Sequence, residues 1–560
     1  MAPGQREHPR RVRRAHRTAG EHGRRTGVDV EQSTDHTAGR PTAAARRLAL
    51  LLAAAMFVLV VDTSFMNVSI SAVVRDLGTT VSGVQTAIAL EALVSASFIL
   101  VGSKVGDLVG RRRAYVVGLL AYGAGAVAMT MAQSLVAVVV FWSVIGGLGA
   151  ALLLPAMQSL VHGNFEGAAR KSAYALVGAA ASIAAAVGPL LGGVITTTLS
   201  WRVAFGLEAV VIVVVLLGVR LVRDVPYTGD RTVDVVGTIL SVVGMGGIVL
   251  GVLVWQEGGE AVGAFVVVGA AGLVGLAAWL VRRARAGRTT LVDPGLFRSP
   301  AFRVGVSQQL LQQVALGGAM IALPIFLQMA LGYDALLAGL SLAPLSLTMF
   351  AAALVAGKRP GRRRPATRVL AGFALLVLGI AAAVLVVPRA TSGWWLALPL
   401  VVAGAGLGLL VSQLNAYTLS PVPEERASEA AGVSSAAGSF GLSLGLAVAG
   451  AVMLASLATG FTAQAESSTV LPPDDKQQVA AVLEDDAEIM SDAQLVELLA
   501  DEPPEVQDEI LRINDDVRAR ALQVALLVPL VAGLLGVVAA LRMRRIPDPE
   551  VREDAPPVLG

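Results

Sequence analysis

Three carboxylic acids interrupt stretches of sequence that otherwise carry almost no charge: Asp62 in the apolar run 48–74, Glu91 in 82–102 and Glu208 in 201–222. Removal from water disfavours a charged carboxylate, so acids in such places suit taking up and releasing a proton near neutral pH, or holding an organic cation. If these runs cross a bilayer, Asp62 and Glu91 fall near its middle and Glu208 in its outer third. A charge at such depths costs at least about 2.5–3.5 kcal/mol and must face a cavity or a partner. Partners are scarce. No Lys or Arg stands near the middle of any run, and only Arg202, a turn and a half from Glu208, is placed to reach one of the three. Proton coupling or cation binding is the chemistry these positions point to, against a structural hydrogen-bonding role.

A second set of polar residues is uncharged. Gln308, Gln309, Gln312 and Gln313 cluster in the run 304–332, and Gln413 and Asn415 in 394–419. At helical spacing Gln309 shares a face with Gln312 or Gln313. Amides orient a substrate without a desolvated charge, and they also hydrogen-bond between helices. Other chemistries are missing. There is no cysteine, hence no disulfide, thiolate metal site or thiol nucleophile. The histidines fit no metal-ligand spacing, and neither a membrane-facing nucleophile nor a phosphate loop is present. No enzyme, metal or cofactor is expected; the energy source would be a proton gradient.

The elements that position these residues must be membrane helices. Of 560 residues, 55% are apolar and 15% charged, with a mean hydropathy of +0.69. A soluble chain carries about 25% charged residues, and a spanning helix needs about 20 mostly apolar ones. The balance excludes an ordinary soluble enzyme, a secreted disulfide scaffold and a disordered protein. Apolar runs near 48–74, 82–102, 114–133, 135–162, 173–200, 201–222, 235–255, 262–281, 304–332, 335–357, 369–388, 394–419, 430–460 and 520–541 predict fourteen spans. They are too long, and too free of alternation, for barrel strands.

Charge orients them. Arg and Lys crowd the tail 1–47 and alternate loops, among them 111–113, 170–171, 282–288, 358–368 and 542–545. By the positive-inside rule both termini face the cytoplasm. The segment 461–519 holds sixteen acids against Lys476, Arg512 and Arg518, so it belongs outside. Its apolar pattern suggests two short amphipathic helices, split by Pro503-Pro504. It is either a solvated cap or a vestibule that attracts cations. Residues 1–47 are expected to form a disordered cytoplasmic tail, and 542–560 a second one.

The turn after the second run reads Ser103-Lys104-Val105-Gly106-Asp107-Leu108-Val109-Gly110-Arg111-Arg112-Arg113, and the turn after the tenth reads Gly357-Lys358-Arg359-Pro360-Gly361-Arg362-Arg363-Arg364. This echo predicts two six-helix bundles, 48–222 and 304–541, separated by a helical pair at 235–281, in an all-α polytopic protein. The glycines Gly106 and Gly110 permit a tight turn, Asp107 is placed to cap a helix start, and Arg111, Arg112 and Arg113 hold the surface. The turn is a topological anchor or a gate latch.

With these features the chain resembles the major facilitator superfamily, and within it the fourteen-span drug:proton antiporter branch. Four segments carry the resemblance over about 48–541. Asp62 is followed five residues later by Asn67, as in the branch's first span. The turn 103–113 is similar to the superfamily's signature loop. Gly188-Pro189-Leu190-Leu191-Gly192-Gly193 looks like the antiporter motif. Leu323-Pro324, Gln328, Gly332-Tyr333, Ala338-Gly339 and Pro344 follow a further pattern of the branch. The resemblance implies a major facilitator fold of 6+2+6 helices in a bacterial plasma membrane, working as a monomer. Its partners are lipid, protons and a small-molecule substrate, with no nucleic acid. A gating role falls on 106–113, and Asn67 joins Gln309, Gln312, Gln313 and Asn415 as candidate cavity residues.

Departures from the pattern matter. Ser143 stands where the family's fourth span usually carries a proton-coupling Arg, and Gly146 where it carries Gln. Glu91 stands where the branch usually has Tyr, and Ser103 and Leu108 replace a Gly and an Arg. The leading expectation is proton-coupled export of amphipathic or cationic drugs by alternating access. Export of a lipid, cell-envelope precursor or self-made metabolite is the alternative. A non-transporting membrane scaffold or sensor is the third reading, supported only by the missing Arg.

Overall fold

The computed structural model describes residues 43–224, 234–256, 261–358, 364–423, 426–471, 499 and 503–546. The expectations for the tail 1–42, most of the basic turn 357–364, the amphipathic segments before Leu499 and the chain after 546 lie outside the described residues. A helix stands at each of the fourteen expected runs. In order they are α1 (Ala43–Val68, continued past Ser69 by Ile70–Leu77), α2 (Val81–Val109), α3 (Arg111–Met129) and α4 (Leu135–Asn164). Then come α5 (Gly167–Thr198), α6 (Trp201–Gly218), α7 (Val235–Gln256), α8 (Val262–Arg285) and α9 (Pro300–Ile325). The last are α10 (Ala335–Lys358), α11 (Pro365–Val386), α12 (Ala397–Leu419), α13 (Ala427–Ser467) and α14 (Leu527–Met543), with a lead-in helix Pro504–Ala525 before α14.

Helix is what these runs must form, because hydrocarbon offers the backbone no hydrogen-bond partner other than itself. Thirteen helices among the described residues are long and apolar enough to cross a membrane. The thirteen leave out α3, whose first turn is Arg111, Arg112 and Arg113; it nonetheless packs inside the bundle against α4 and α6.

Contacts sort the helices into two groups. In the first, α1 runs along α5 and touches α6, α2 runs along α4, and α3 lies between α4 and α6. In the second, α9 runs along α13 and α14, α10 along α12, and α11 touches α12 and α14. The groups meet along two seams, α2 against α13 and α5 against α10. The hairpin α7–α8 packs on itself and leans through α7 on α2 and α13. The bundle therefore has a basic end, marked by Arg111–Arg113 and Arg282–Arg288, and an acidic end, where the lead-in helix sits.

Two expectations are corrected. The turn 103–113 shrinks to a single residue, Gly110 at φ +99°, a backbone angle that suits glycine. Arg111–Arg113 are already the first turn of α3. Asp107 caps no helix start; it lies in the last turn of α2 and pairs with Arg111 at 3.1 Å. The acidic segment is largely helical at both of its described ends. α13 has 41 residues, about 60 Å at 1.5 Å per residue, twice the thickness of a hydrocarbon core. Pro503-Pro504, expected to split two short amphipathic helices, opens the lead-in helix. Its apolar face (Ile510, Ile513, Val517) packs on Phe461 and Ala465 of α13 in a small core of its own.

The α5–α10 seam depends on small residues. Gly188 and Gly192 face Ser64 and Phe65 on α1, Gly193 lies against the Ala335 backbone on α10, and Gly339 lies against the Pro189 carbonyl. No side chain fits between backbones in such contact, so Gly339→Leu should cost about 1–3 kcal/mol by overpacking. Gly246 on α7 faces open space, and Gly246→Leu should leave stability intact. Thermal unfolding of both variants in detergent checks the contrast.

Candidate functional site

Asp62, Glu91 and Glu208 come from α1, α2 and α6, and the first helix group brings all three into its interior. Each is buried, with Asp62 only 1% exposed. Asp62 and Glu208 line one gap, and Glu91 lies within electrostatic reach of both. Two neutral donors converge on Asp62. The Tyr122 hydroxyl of α3 donates at 2.5 Å, and the Trp142 indole N–H of α4 donates to both carboxyl oxygens at 2.9 and 2.8 Å. Neither Glu208 oxygen has a hydrogen-bond partner among the described residues.

The one cation placed to reach Glu208 or the surface does not pair with Glu208. Arg202 binds Asp76 and the Ala132 carbonyl and lies over the Trp201 ring at 4.4 Å. That contact ties the acidic ends of α6, α3 and the continuation of α1, one turn and a half away from Glu208.

Local irregularity makes the site. Residues Val138–Gly146 of α4 form a wide helical turn, a feature that concentrates at functional positions. It contains Ser143, the position of the missing Arg. Ser143 is fully buried and donates to the Ala87 carbonyl of α2 at 2.7 Å, and Gly147 packs on the Glu91 backbone. A small hydroxyl thus lets α4 close on α2 one turn from Glu91, and Trp142 in the same turn reaches Asp62. Tyr122 and Trp142 escaped the sequence reading. Their signal was an aromatic ring with a polar tip inside an apolar run, which needs a partner when buried.

Asp62, Glu208, Tyr122 and Trp142 line one small gap, with Gly125, Ala126 and Gly146 beside them. Drug-sized ligands occupy clefts of roughly 300–1,000 Å3. The gap is too narrow for a drug-sized cation. An aromatic cluster lies toward the acidic end. Phe205 meets Phe65, Trp201 and Trp142 edge to face at centroid distances of 4.9, 6.0 and 6.3 Å.

The remaining candidates scatter. Gln309 and Gln313 flank Gly438 on α13, at the half-buried inner surface of the second group. Gln312 and Asn67 are buried among helices, and Asn67 donates to the Thr63 carbonyl at 2.8 Å. Asn415 is half-buried on α12, and Gln413 accepts a long bond from Arg368 at 3.4 Å. In the turn 103–113, the Arg112 N–H binds Asp224, which lies just past α6, at 3.1 Å. The charges that face each other across the seam are different ones: Lys104 on α2 attracts Glu429 on α13. Glu429 also accepts the Asp293 N–H, and Asp293 pairs with Arg426 at 2.6 Å.

Comparison with known proteins places these features. Residues 52–446 match the model of the Major Facilitator Superfamily. The chain is 29% identical over 444 residues to a protein of Streptomyces coelicolor named a probable actinorhodin transporter, covering 77% of each. It is 32% identical over 434 residues to the cephamycin export protein CmcT of Amycolatopsis lactamdurans, covering 76% of this chain and 87% of that one. Among solved structures, a bacterial homologue of the human lysosomal transporter Spinster, in an inward-facing and unoccupied conformation, superposes with a TM-score of 0.61. That match has 12% identity over 90% of this chain and 99% of the other, a likeness of fold alone.

A double-mutant cycle measures what the donors contribute. Tyr122→Phe should cost about 1.5–3 kcal/mol in the presence of Asp62, the range for a hydrogen bond to a charged group. In an Asp62→Leu background it should cost almost nothing. Thermal unfolding reads the coupling, and equal costs in both backgrounds would show the bond to be idle.

Proposed function

The chain belongs to the major facilitator superfamily, and from that premise we propose that it exports small molecules in exchange for protons by alternating access. The observation that carries the proton half of this reading is a pair of buried carboxyls, Asp62 and Glu208, that line one gap with only the neutral donors Tyr122 and Trp142, while Glu91 is buried nearby. An acid group that must load and unload a proton is better served by neutral Tyr and Trp donors than by a fixed cation, which would hold it ionised. Asp62 and Glu208 are the proton-carrying pair. Glu91, next to the α4 turn that lacks Arg and two residues from Ala89, whose carbonyl accepts Ser443 of α13, links that pair to the meeting of the two halves.

The basic end faces the cytoplasm and the acidic end the outside, because positive residues are retained inside. Fourteen spans in a 6+2+6 arrangement then put both termini in the cytoplasm of a bacterial plasma membrane. Substrate binds apart from the acids, between the two halves, where Gln309, Gln313 and Asn415 offer amide groups. Cargo therefore need not be cationic. Relatives named for actinorhodin transport and cephamycin export favour an antibiotic, either foreign or made by the cell itself.

In expressing cells, accumulation of an antibiotic or lipophilic dye should fall, and a protonophore should abolish the fall. Asp62→Asn and Glu208→Gln should each slow this efflux at least tenfold while leaving the protein in the membrane. Undiminished gradient-driven efflux by Asp62→Asn would refute proton coupling at this site. Glu91→Gln should uncouple as well: in proteoliposomes an imposed pH gradient would no longer drive uptake, and normal uptake would remove Glu91 from the mechanism.

A further inference from the structure

Beyond α9 the chain makes one wide turn, Phe326–Ala330, before Gly332 (φ +63°) redirects it into α10. Two neighbouring residues of this turn reach in opposite directions. Gln328, 4% exposed, accepts two hydrogen bonds from the other half of the protein: from the Ser71 hydroxyl at 2.5 Å and from the Ser71 N–H at 3.2 Å. The carbonyl of Met329 accepts the Arg518 guanidinium of the lead-in helix at 2.6 Å. Around it, the Leu336 N–H donates to Thr197 across the α5–α10 seam at 3.1 Å, and Ser69 meets Thr196 at 2.7 Å within the first half. This is the closed outer end of the seam between the halves.

Arg518 is out of place by charge and by burial. It lies in the acid-rich segment, yet it is 5% exposed, between Ala521 and Leu522 of its own helix and Met329 of α9. A guanidinium among apolar groups is costly unless its hydrogen bonds require the place. The last carbonyls of a helix lack partners within it and carry the negative end of its dipole, so a cation fits there specifically. A small apolar cavity of about 30 Å3 lies between the turn, the lead-in helix, α13 and Val81 of α2, so the turn is not tightly packed on that side. The Gln328 amide nitrogen has no hydrogen-bond partner among the described residues, so the closed latch leaves a polar atom that water would satisfy on opening.

We propose that Arg518 is a positioning residue for the outer gate: by holding the wide turn through Met329 it presents Gln328 to Ser71 and keeps the outer end closed. The outer acidic hairpin, α13 with the lead-in helix, is thereby part of the gate and moves with it. The proposal rests on alternating access and on neither the coupling ion nor the cargo, so loss of dye export would leave it standing.

The chain contains no cysteine, so a single reporter, Ser69→Cys, can be labelled from outside with a membrane-impermeant maleimide. Ser69 is fully buried in the closed gate. Arg518→Met should raise its labelling rate about tenfold, the worth of one charge-assisted hydrogen bond. Arg518→Lys should restore most of the closure, and Gln328→Leu should match Arg518→Met. The double variant should label no faster than either single one, because the two residues act through one contact. A control cysteine at buried Ser159 of α4 should keep its rate. An unchanged rate in Arg518→Met, an equal rise at Ser159→Cys, or additive effects in the double variant would each overturn the proposal. Should Arg518→Met not accumulate as folded protein, Arg518→Gln supplies the comparison, with a smaller rise confined to Ser69→Cys.

Discussion

Asp62 is held by two uncharged donors, Tyr122 and Trp142, in a cavity that no cation enters. The rest of the first helix group follows from that arrangement. A buried carboxyl paired with Arg would be a permanent ion pair. A buried carboxyl with no donor at all would cost several kcal/mol whenever it ionised. Neutral donors lie between these limits, giving the carboxyl hydrogen bonds without a fixed countercharge. To supply them, α3 and α4 must both approach α1, and α4 must widen its helix between Val138 and Gly146. Gly125, Ala126 and Gly146 keep the space around the acids clear, and Ser143 lets α2 close against α4.

The second constraint is the seam. Two halves that rock against each other need contacts that are close yet separable. Backbone meets backbone where Gly193 lies against Ala335 and Gly339 against Pro189. The hydrogen bonds across the seam, from Ser71 to Gln328 and from Leu336 to Thr197, join groups that water can also satisfy. Separating these groups would exchange partners and not strand them. Toward the basic end the contacts are of another kind. Lys104 faces Glu429 across the α2–α13 seam, and Asp293 and Arg426 continue the network.

Much of the fold was legible because the bilayer permits so few solutions. Apolar runs of span length had to be helices, and the basic turns gave the bundle its polarity. Where the reading failed, a single residue or a tertiary contact decided. Gly110 alone made the turn that looked eleven residues long. Arg202, placed to reach Glu208 or the surface, pairs with Asp76, reachable only after α1 and α6 had packed. The segment 461–519 looked like a loop because its composition is acidic. Its ends are helical because Ile510, Ile513 and Val517 find Phe461 and Ala465, a match separated by some fifty residues.

The sequence by itself determined that this is a membrane helix bundle, which residues carry charge into it, and which end is basic. Those properties follow from the energy of moving each side chain out of water, a quantity that belongs to residue types and run lengths. It left open what each acid would meet. That Asp62 lies between Tyr122 and Trp142, that Glu208 shares its cavity without a cation, and that Arg518 holds the turn carrying Gln328 were decided only by tertiary structure. These are contacts between helices far apart in the chain, set by which faces pack and where a helix widens, and neither local pattern nor composition encodes them.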